Sequence, residues 1–173
     1  IIVHTKGLSD LFKIIEPLTR TSRSPAKQFN LKSVLEKSFG IFSGELSELN
    51  IIHEIVSEAP EPFVIANEMD LITVFSNLIE NSVYWLKHKS VDSRIIHTTI
   101  YVDNQILTVE YRDNGPGFQG DNLELLFEPG YSMKPDGTGL GLVLAGEAMS
   151  RIGGNIEAKH SDDGAVFMIM FKE

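Results

Sequence analysis

Residues 70–87 read DLITVFSNLIENSVYWLK, with no Gly or Pro among them. At about 100° per residue, Leu71, Ile72, Phe75, Leu78, Ile79, Val83, Trp85 and Leu86 fall on one broad arc. Asp70, Thr73, Asn77, Asn81, Tyr84 and His88 fall opposite. The spacing predicts a helix over 70–87 with one face in a core. The other face is rich in amides, although Asn is a weak helix former and Lys or Glu would serve solubility better. Two readings of it are open. The face is solvated surface, or Asn77 and Asn81, one turn apart, line a site and offer carbonyl oxygens to a hard cation such as Mg²⁺.

Outward from this helix the pattern alternates between strands and helices. Before it, 29–31 reads as a short strand, 32–43 as a helix, and 50–56 and 63–66 as strands. After it, 94–102 and 106–112 form a strand pair around Asp103, Asn104 and Gln105. A glycine-rich irregular stretch spans 115–139. A helix over 140–152 is stopped by Gly153 and Gly154, and a hairpin of 155–160 with 165–171 turns at Asp162, Asp163 and Gly164. Such alternation indicates a two-layer α/β (α+β) domain rather than a bundle. Ile1, Leu8, Leu11, Ile15 and Leu18 keep heptad spacing, as in a bundle or coiled-coil helix, until Pro17 ends or kinks it. The polar, breaker-rich TRTSRSPAK (19–27) follows as a linker. The domain boundary is placed there, with an appendage over 1–23 and the main domain over 24–173.

The 173 residues accommodate one buried domain and a short appendage. A composition of 42% hydrophobic and 23% charged residues excludes disorder. The formal charge of −9 repels phosphate backbones and argues against a sequence-independent nucleic-acid binder. Any anionic ligand must therefore be held locally, by a helix N-terminus, glycine-loop amides, a Lys or a metal ion. The absence of cysteine excludes disulfides, thiolate zinc sites and a Cys nucleophile, and fits a cytoplasmic setting. No apolar run approaches the ~20 residues that span a bilayer. The chain begins at Ile1 rather than Met and is read as a fragment, so a membrane-anchored parent stays open.

Two further motifs carry chemistry. Asp113-Asn114-Gly115-Pro116-Gly117-Phe118 stands where a strand runs out. It is either a hairpin turn or a carboxylate poised, beside glycines that allow close approach, to accept from a base's amino group. Gly137-Thr138-Gly139-Leu140-Gly141-Leu142 leads into a helix, whose N-terminal amides form a ready phosphate site. It is no Walker loop, since no Gly-Lys-Ser/Thr follows, and the strand that a dinucleotide fingerprint needs is missing before it.

Taken in order, these pieces resemble a known family. Asn77-Leu78-Ile79-Glu80-Asn81 is similar to the Asn box of histidine-kinase catalytic domains, and DNGPGF to their first glycine box. LFEPGYSMK (126–134), around Phe127, is similar to their Phe box, and GTGLGL to their second glycine box. The resemblance covers about residues 30–173, within the GHKL superfamily. It implies a Bergerat-type α/β sandwich, with a mixed, mainly antiparallel sheet covered by helices and ATP held between the long helix and a lid. It implies Asn81 as the Mg²⁺ ligand with Asn77 beside it, and Asp113 at the adenine amino group. Gly115, Gly117, Gly137, Gly139 and Gly141 would shape the lid, Thr138 and Leu140 would belong to the nucleotide loop, and Phe127 would anchor it. Lys134 is either a phosphate contact or an exposed loop charge.

The activity so implied is transfer of the γ-phosphoryl group of Mg·ATP to a histidine on a dimerisation domain of the same protein. A downstream response regulator and a homodimer through that helical hairpin follow from it. Residues 1–23 would be the end of a hairpin helix plus linker. No acceptor histidine is read in this chain: His53-Glu54 lies in a predicted strand, and His4 has no acidic neighbour. Alternatives are an ATPase or anti-sigma-type serine kinase of the same superfamily, and an ATP-sensing module without chemistry. Two departures bear on them. Tyr84 stands where many relatives carry a basic residue. Asn77 stands where hydrolysing relatives carry the Glu that activates water, and an amide cannot take a proton at neutral pH.

Overall fold

The computed structural model describes residues 25–88 and 93–172, so the heptad segment and the boundary after residue 23 lie outside the described residues. The elements in order are β1 (Lys27–Asn30), α1 (Leu31–Ile41), α2 (Ser43–Glu48), β2 (Ile51–Ser57), β3 (Phe63–Ala66) and α3 (Glu68–His88). β4 (Arg94–Asp103), β5 (Ile106–Asp113), a 3-10 turn (Leu123–Phe127), α4 (Gly141–Ile152), β6 (Asn155–Lys159) and β7 (Val166–Phe171) follow.

The main sheet has the order β2-β4-β5-β7-β6. β2 runs parallel to β4 and every other pair is antiparallel. β1 and β3 form a separate antiparallel pair. On β4, Ile96, Thr98 and Ile100 are fully buried, while Ile95, His97 and Thr99 between them are not, the period-two signature of a sheet covered on one face. The covering layer is helical, with α3 packed against both α1 and α4. Leu35 and Phe39 of α1, Phe75 and Leu78 of α3, and Ala148 and Met149 of α4 complete the core against the sheet. This is the two-layer α/β sandwich with a mixed, mainly antiparallel sheet that the sequence indicates.

Local chemistry sets the ends of the elements. The Asn30 side chain accepts from the Ser33 N–H at 3.2 Å, so Asn30 caps α1 and Leu31, predicted to end a strand, opens the helix instead. Asn67 accepts from the Met69 N–H at 2.9 Å, which starts α3 ahead of the predicted position 70. The predicted helix over 32–43 ends at Ile41, and a second short helix, unforeseen from sequence, begins at Ser43. The β4–β5 turn places Asn104 and Gln105 at φ 47° and 69°, the left-handed pair that a tight hairpin requires.

Two residues of α3 exchange their expected roles. Trp85, expected in the core arc, is only partly buried, and Val74 is fully buried in the core. Asp70, expected on the polar face, is buried because α4 brings Arg151 across it. The guanidinium donates through Nε at 3.0 Å and Nη2 at 2.7 Å to the same carboxylate oxygen. Hydrogen bonds to a charged group contribute about 1.5–3 kcal/mol, and removing one partner strands the other. Arg151→Ala is therefore expected to lower unfolding free energy by about 2–3 kcal/mol in urea titration; a change below about 0.5 kcal/mol would mean that Asp70 is satisfied without it.

Candidate functional site

A cavity of about 390 Å³ opens between α3, the end of β5 and the stretch 116–142. The polar face of α3 supplies Glu80, Asn81, Tyr84 and Trp85 to its wall. The glycine-rich stretch supplies Tyr131 to Lys134 and Asp136 to Gly139, and the start of α4 supplies Gly141. Three separate stretches of the chain, 80–85, 113–142 and 165–167, meet here, where α3 and α4 pack together in one helical layer over the sheet.

The floor is Asp113, the last residue of β5, buried with 5% of its surface exposed. Its carboxylate is fixed from three sides. Ser82 Oγ of α3 donates to one oxygen at 2.5 Å and in turn accepts from the Tyr111 hydroxyl at 3.0 Å. The other oxygen accepts the Gly115 N–H at 2.9 Å and the Ala165 N–H at 3.4 Å. The Asp113 N–H donates to the Ala165 carbonyl at 3.0 Å. The β6–β7 hairpin is thus a wall of the site, where the sequence showed only a turn. Gly164, at φ 104°, lies so close that a Cβ there would overlap the Asp113 carbonyl. A buried carboxylate needs such partners to offset lost hydration.

Opposite the floor, the loop 137–140 delivers α4. Leu140 is its N-cap and gives no side-chain cap, and the first turn carries no acid. The N–H groups of that first turn have no intrahelical partner and carry the positive end of the helix dipole. Gly141 sits against Asn77, since a Cβ on it would stand 2.8 Å from the Asn77 Oδ1. The Asn77 amide nitrogen donates to the Thr73 carbonyl at 2.8 Å, which turns its oxygen towards α4. Gly139 has φ 67°, a Cβ there would strike the backbone of Gly130 and Tyr131, and its carbonyl accepts the Gly130 N–H at 3.3 Å.

Of the residues singled out in the sequence, Asn81, Asp113, Gly117, Lys134, Gly137, Thr138, Gly139 and Gly141 line the cavity. Asn77, Gly115, Phe127 and Leu140 stand behind it. Phe127 ends the 3-10 turn and packs on the core, with Gly146 of α4 in front of its ring. Lys134 is half-buried with its ammonium 4.7 Å from the Tyr84 ring centroid. Burial lowers its pKa and the nearby Glu80 carboxylate opposes that shift. Ser82, Trp85 and Tyr111 escape a sequence reading as site residues, whereas Tyr84 is read on the polar face of the helix. Tyr111 sits inside a strand, and Ser82 is a small polar residue next to Val83, with no pattern that marks it.

The resident side chains suit a phosphorylated ligand whose charge arrives with its own metal. Among the described residues no group of three or more His, Asp or Glu side chains could hold a metal ion. The Asn81 amide oxygen, with Glu80 next to it in the chain, would offer a hard-cation ligand to a Mg²⁺ that keeps most of its waters.

The description "Histidine kinase-, DNA gyrase B-, and HSP90-like ATPase" matches residues 66–173. The chain is 26% identical over 94% of its length to the C4-dicarboxylate transport sensor protein DctB of Pseudomonas aeruginosa, covering 27% of that protein. It is 28% identical over 94% of its length to the sensor histidine kinase ZraS of Salmonella typhimurium, covering 34% of it. The chain thus spans about a third or less of these curated relatives. Its fold is that of the nucleotide-free catalytic domain of histidine kinase ThkA, with a TM-score of 0.73 at 22% identity over 86% of this chain and 95% of that one.

The floor makes a pH prediction. Tyr111 is fully buried and its pKa is raised well above 10, burial being the largest cause and the nearby Asp113 carboxylate acting in the same sense. A raised tyrosine pKa stabilises the fold below pH 10 and the contribution is lost as pH climbs, because the unfolded chain releases the proton first. Thermal melts from pH 8 to 11 are expected to show a steeper loss for the wild type than for Tyr111→Phe. Parallel curves would mean that Tyr111 ionises as easily in the folded state.

Proposed function

The chain belongs to the histidine kinase-, DNA gyrase B- and HSP90-like ATPase family, and from that membership we propose that it binds Mg·ATP and phosphorylates a histidine on a dimerisation domain of its own protein. One observation supports this most: a fixed buried carboxylate, an amide-bearing helix face and an uncapped helix N-terminus converge on one cavity. Asp113 accepts from the adenine amino group. Gly115 and Gly117 let the backbone approach the base, and Phe127 anchors the lid on the core.

Asn81, with Asn77 behind it, would hold the Mg²⁺, and the amides of Gly137 to Gly141, with Thr138 and Leu140 in the same loop, would receive the phosphates. Lys134 contributes the lid's charge. Bound Mg²⁺ neutralises charge on the transferring phosphoryl group. The chain's own part is positioning and electrostatic stabilisation, which is most of what phosphoryl transfer needs. The bond from the γ-phosphorus to the bridging oxygen breaks, one from phosphorus to an imidazole nitrogen forms, and the imidazole proton passes to a base beside the acceptor.

Residues 1–23 are proposed as the end of the dimerisation-hairpin helix plus linker and 24–173 as the catalytic domain. The active protein is then a cytoplasmic-facing homodimer that passes its phosphoryl group on to a response regulator. Among the described residues no helix is long and apolar enough to cross a membrane.

Asp113→Asn presents donors where the adenine amino group would donate. Calorimetric titration with a non-hydrolysable ATP analogue is expected to show affinity falling about 10- to 100-fold, the size of one hydrogen bond to a charged group; equal affinities would remove the adenine role. The second expectation rests on Asn77, an amide whose nitrogen is committed to the Thr73 carbonyl. Loss of a general base costs ~10² to 10⁴ in rate, so the chain should bind ATP and hydrolyse it very slowly. Adding the dimerisation hairpin of the same protein should yield an acid-labile phosphohistidine. Steady hydrolysis at ordinary enzyme rates would instead identify an ATPase, and nucleotide binding without transfer to any acceptor would identify a sensing module.

A further inference from the structure

Among the residues lining the cavity Lys134 is the one Lys or Arg, against the carboxylates of Glu80, Asp113 and Asp136. Where its ammonium stands therefore governs how the cavity receives a polyanion. It stands on an aromatic ring: Nζ lies 4.7 Å from the centroid of Tyr84, inside cation–π range. That ring is itself held. It meets Trp85 edge-on at 5.1 Å and 89° between planes, and His88 at 4.4 Å and 38°. Tyr84 projects from α3 about one turn beyond Asn81, on the helix face that also carries Asn77. Lys134 also stands against the loop that opens α4: its carbonyl accepts the Gly137 N–H at 3.1 Å, and a Cβ on Gly137 would stand 3.0 Å from the Lys134 Cβ, so the residue bridges the Tyr84 ring and that loop.

We propose that Tyr84 is a positioning residue whose ring seats the Lys134 ammonium at the phosphate end of the cavity, so that the lid's one cation is in place before a nucleotide's phosphate tail arrives. The inference rests on reading the cavity as a nucleotide site. A free lysine side chain must give up much rotamer freedom to meet a phosphate, and a seated one has already given up part of it. The ring face can do this without competing for the ammonium's protons, because a cation–π contact leaves them available to phosphate oxygens. A carboxylate in the same place would repel the incoming tail. The half-burial of Lys134 and the downward direction of its pKa agree with an ammonium held out of bulk water.

Two ligands and four variants of the 173-residue chain test the seat by calorimetry: Mg²⁺ with a non-hydrolysable ATP analogue, and adenosine, which has no phosphate. The variants are Lys134→Gln, Tyr84→Leu, Tyr84→Phe and the double variant Tyr84→Leu with Lys134→Gln. Lys134→Gln is expected to weaken the triphosphate about tenfold or more, as loss of a charged hydrogen bond does. Tyr84→Leu is expected to weaken it about two- to fivefold, the scale of a partly exposed cation–π pair. Neither should change adenosine affinity by as much as twofold. Tyr84→Phe keeps the ring and should stay within twofold of wild type for both ligands. In the double variant Tyr84→Leu should add nothing. Equal weakening of adenosine and triphosphate by Tyr84→Leu, or additive losses in the double variant, would overturn the seat while leaving the nucleotide site standing. Failure of the wild type to bind either ligand would overturn the site and the seat together.

Discussion

The buried Asp113 carboxylate is the constraint to which the rest of the site is fitted. It is 5% exposed at the end of a strand, and a carboxylate taken out of water must be surrounded by donors. Those donors come from Ser82 on the long helix, from the Gly115 amide just after the strand, and from Ala165 at the neighbouring hairpin. Satisfying one side chain thereby fixes α3, β5 and the β6–β7 turn relative to one another. Tyr111 extends the network through Ser82 into the core, so the floor of the cavity is continuous with the packed interior and inherits its rigidity.

Charge is distributed unequally around that floor. The chain as a whole carries −9, and the cavity wall itself bears more carboxylates than cations. Under the proposed function, a polyanionic ligand would be held here by directed groups at short range, namely helix N–H groups, side-chain amides and one lysine, with a metal ion supplying the remaining positive charge.

The lid is irregular in backbone yet tied down at defined points. Gly130 and Gly139 are joined by a backbone hydrogen bond, the 3-10 turn caps itself through Asn122, and Phe127 reaches the core beside α4. Between these anchors Ser132 closes a small turn with Lys134, its hydroxyl accepting the Lys134 N–H at 3.1 Å. The segment therefore presents its lysine from a local turn while its ends are held by packing.

Periodicity alone determined much of this protein. The long helix, the β4–β5 pair with its left-handed turn, the closing hairpin and the helix after GTGLGL are all legible because repeat length and turn residues are local properties of the chain. So is the candidate site in outline, since Asn81, Asp113, Gly117, Gly137, Gly139 and Gly141, which share one cavity, are residue types that stand out from their local pattern. What the sequence could not settle is which partners side chains find across distance. Asp70 looks like surface until Arg151, from a helix far along the chain, covers it. Ser82 and Tyr111 look like ordinary core until the fold aims both at Asp113. The turn at Gly164 looks generic until it proves to abut the same residue. Trp85 and Tyr84 become cavity wall only because the lid segment and the end of β5 come to lie against the last turns of α3. Secondary structure is written in spacing along the chain, whereas burial, hydrogen-bond satisfaction and the seating of a charge on a ring depend on which elements pack together, and only the tertiary structure decides that.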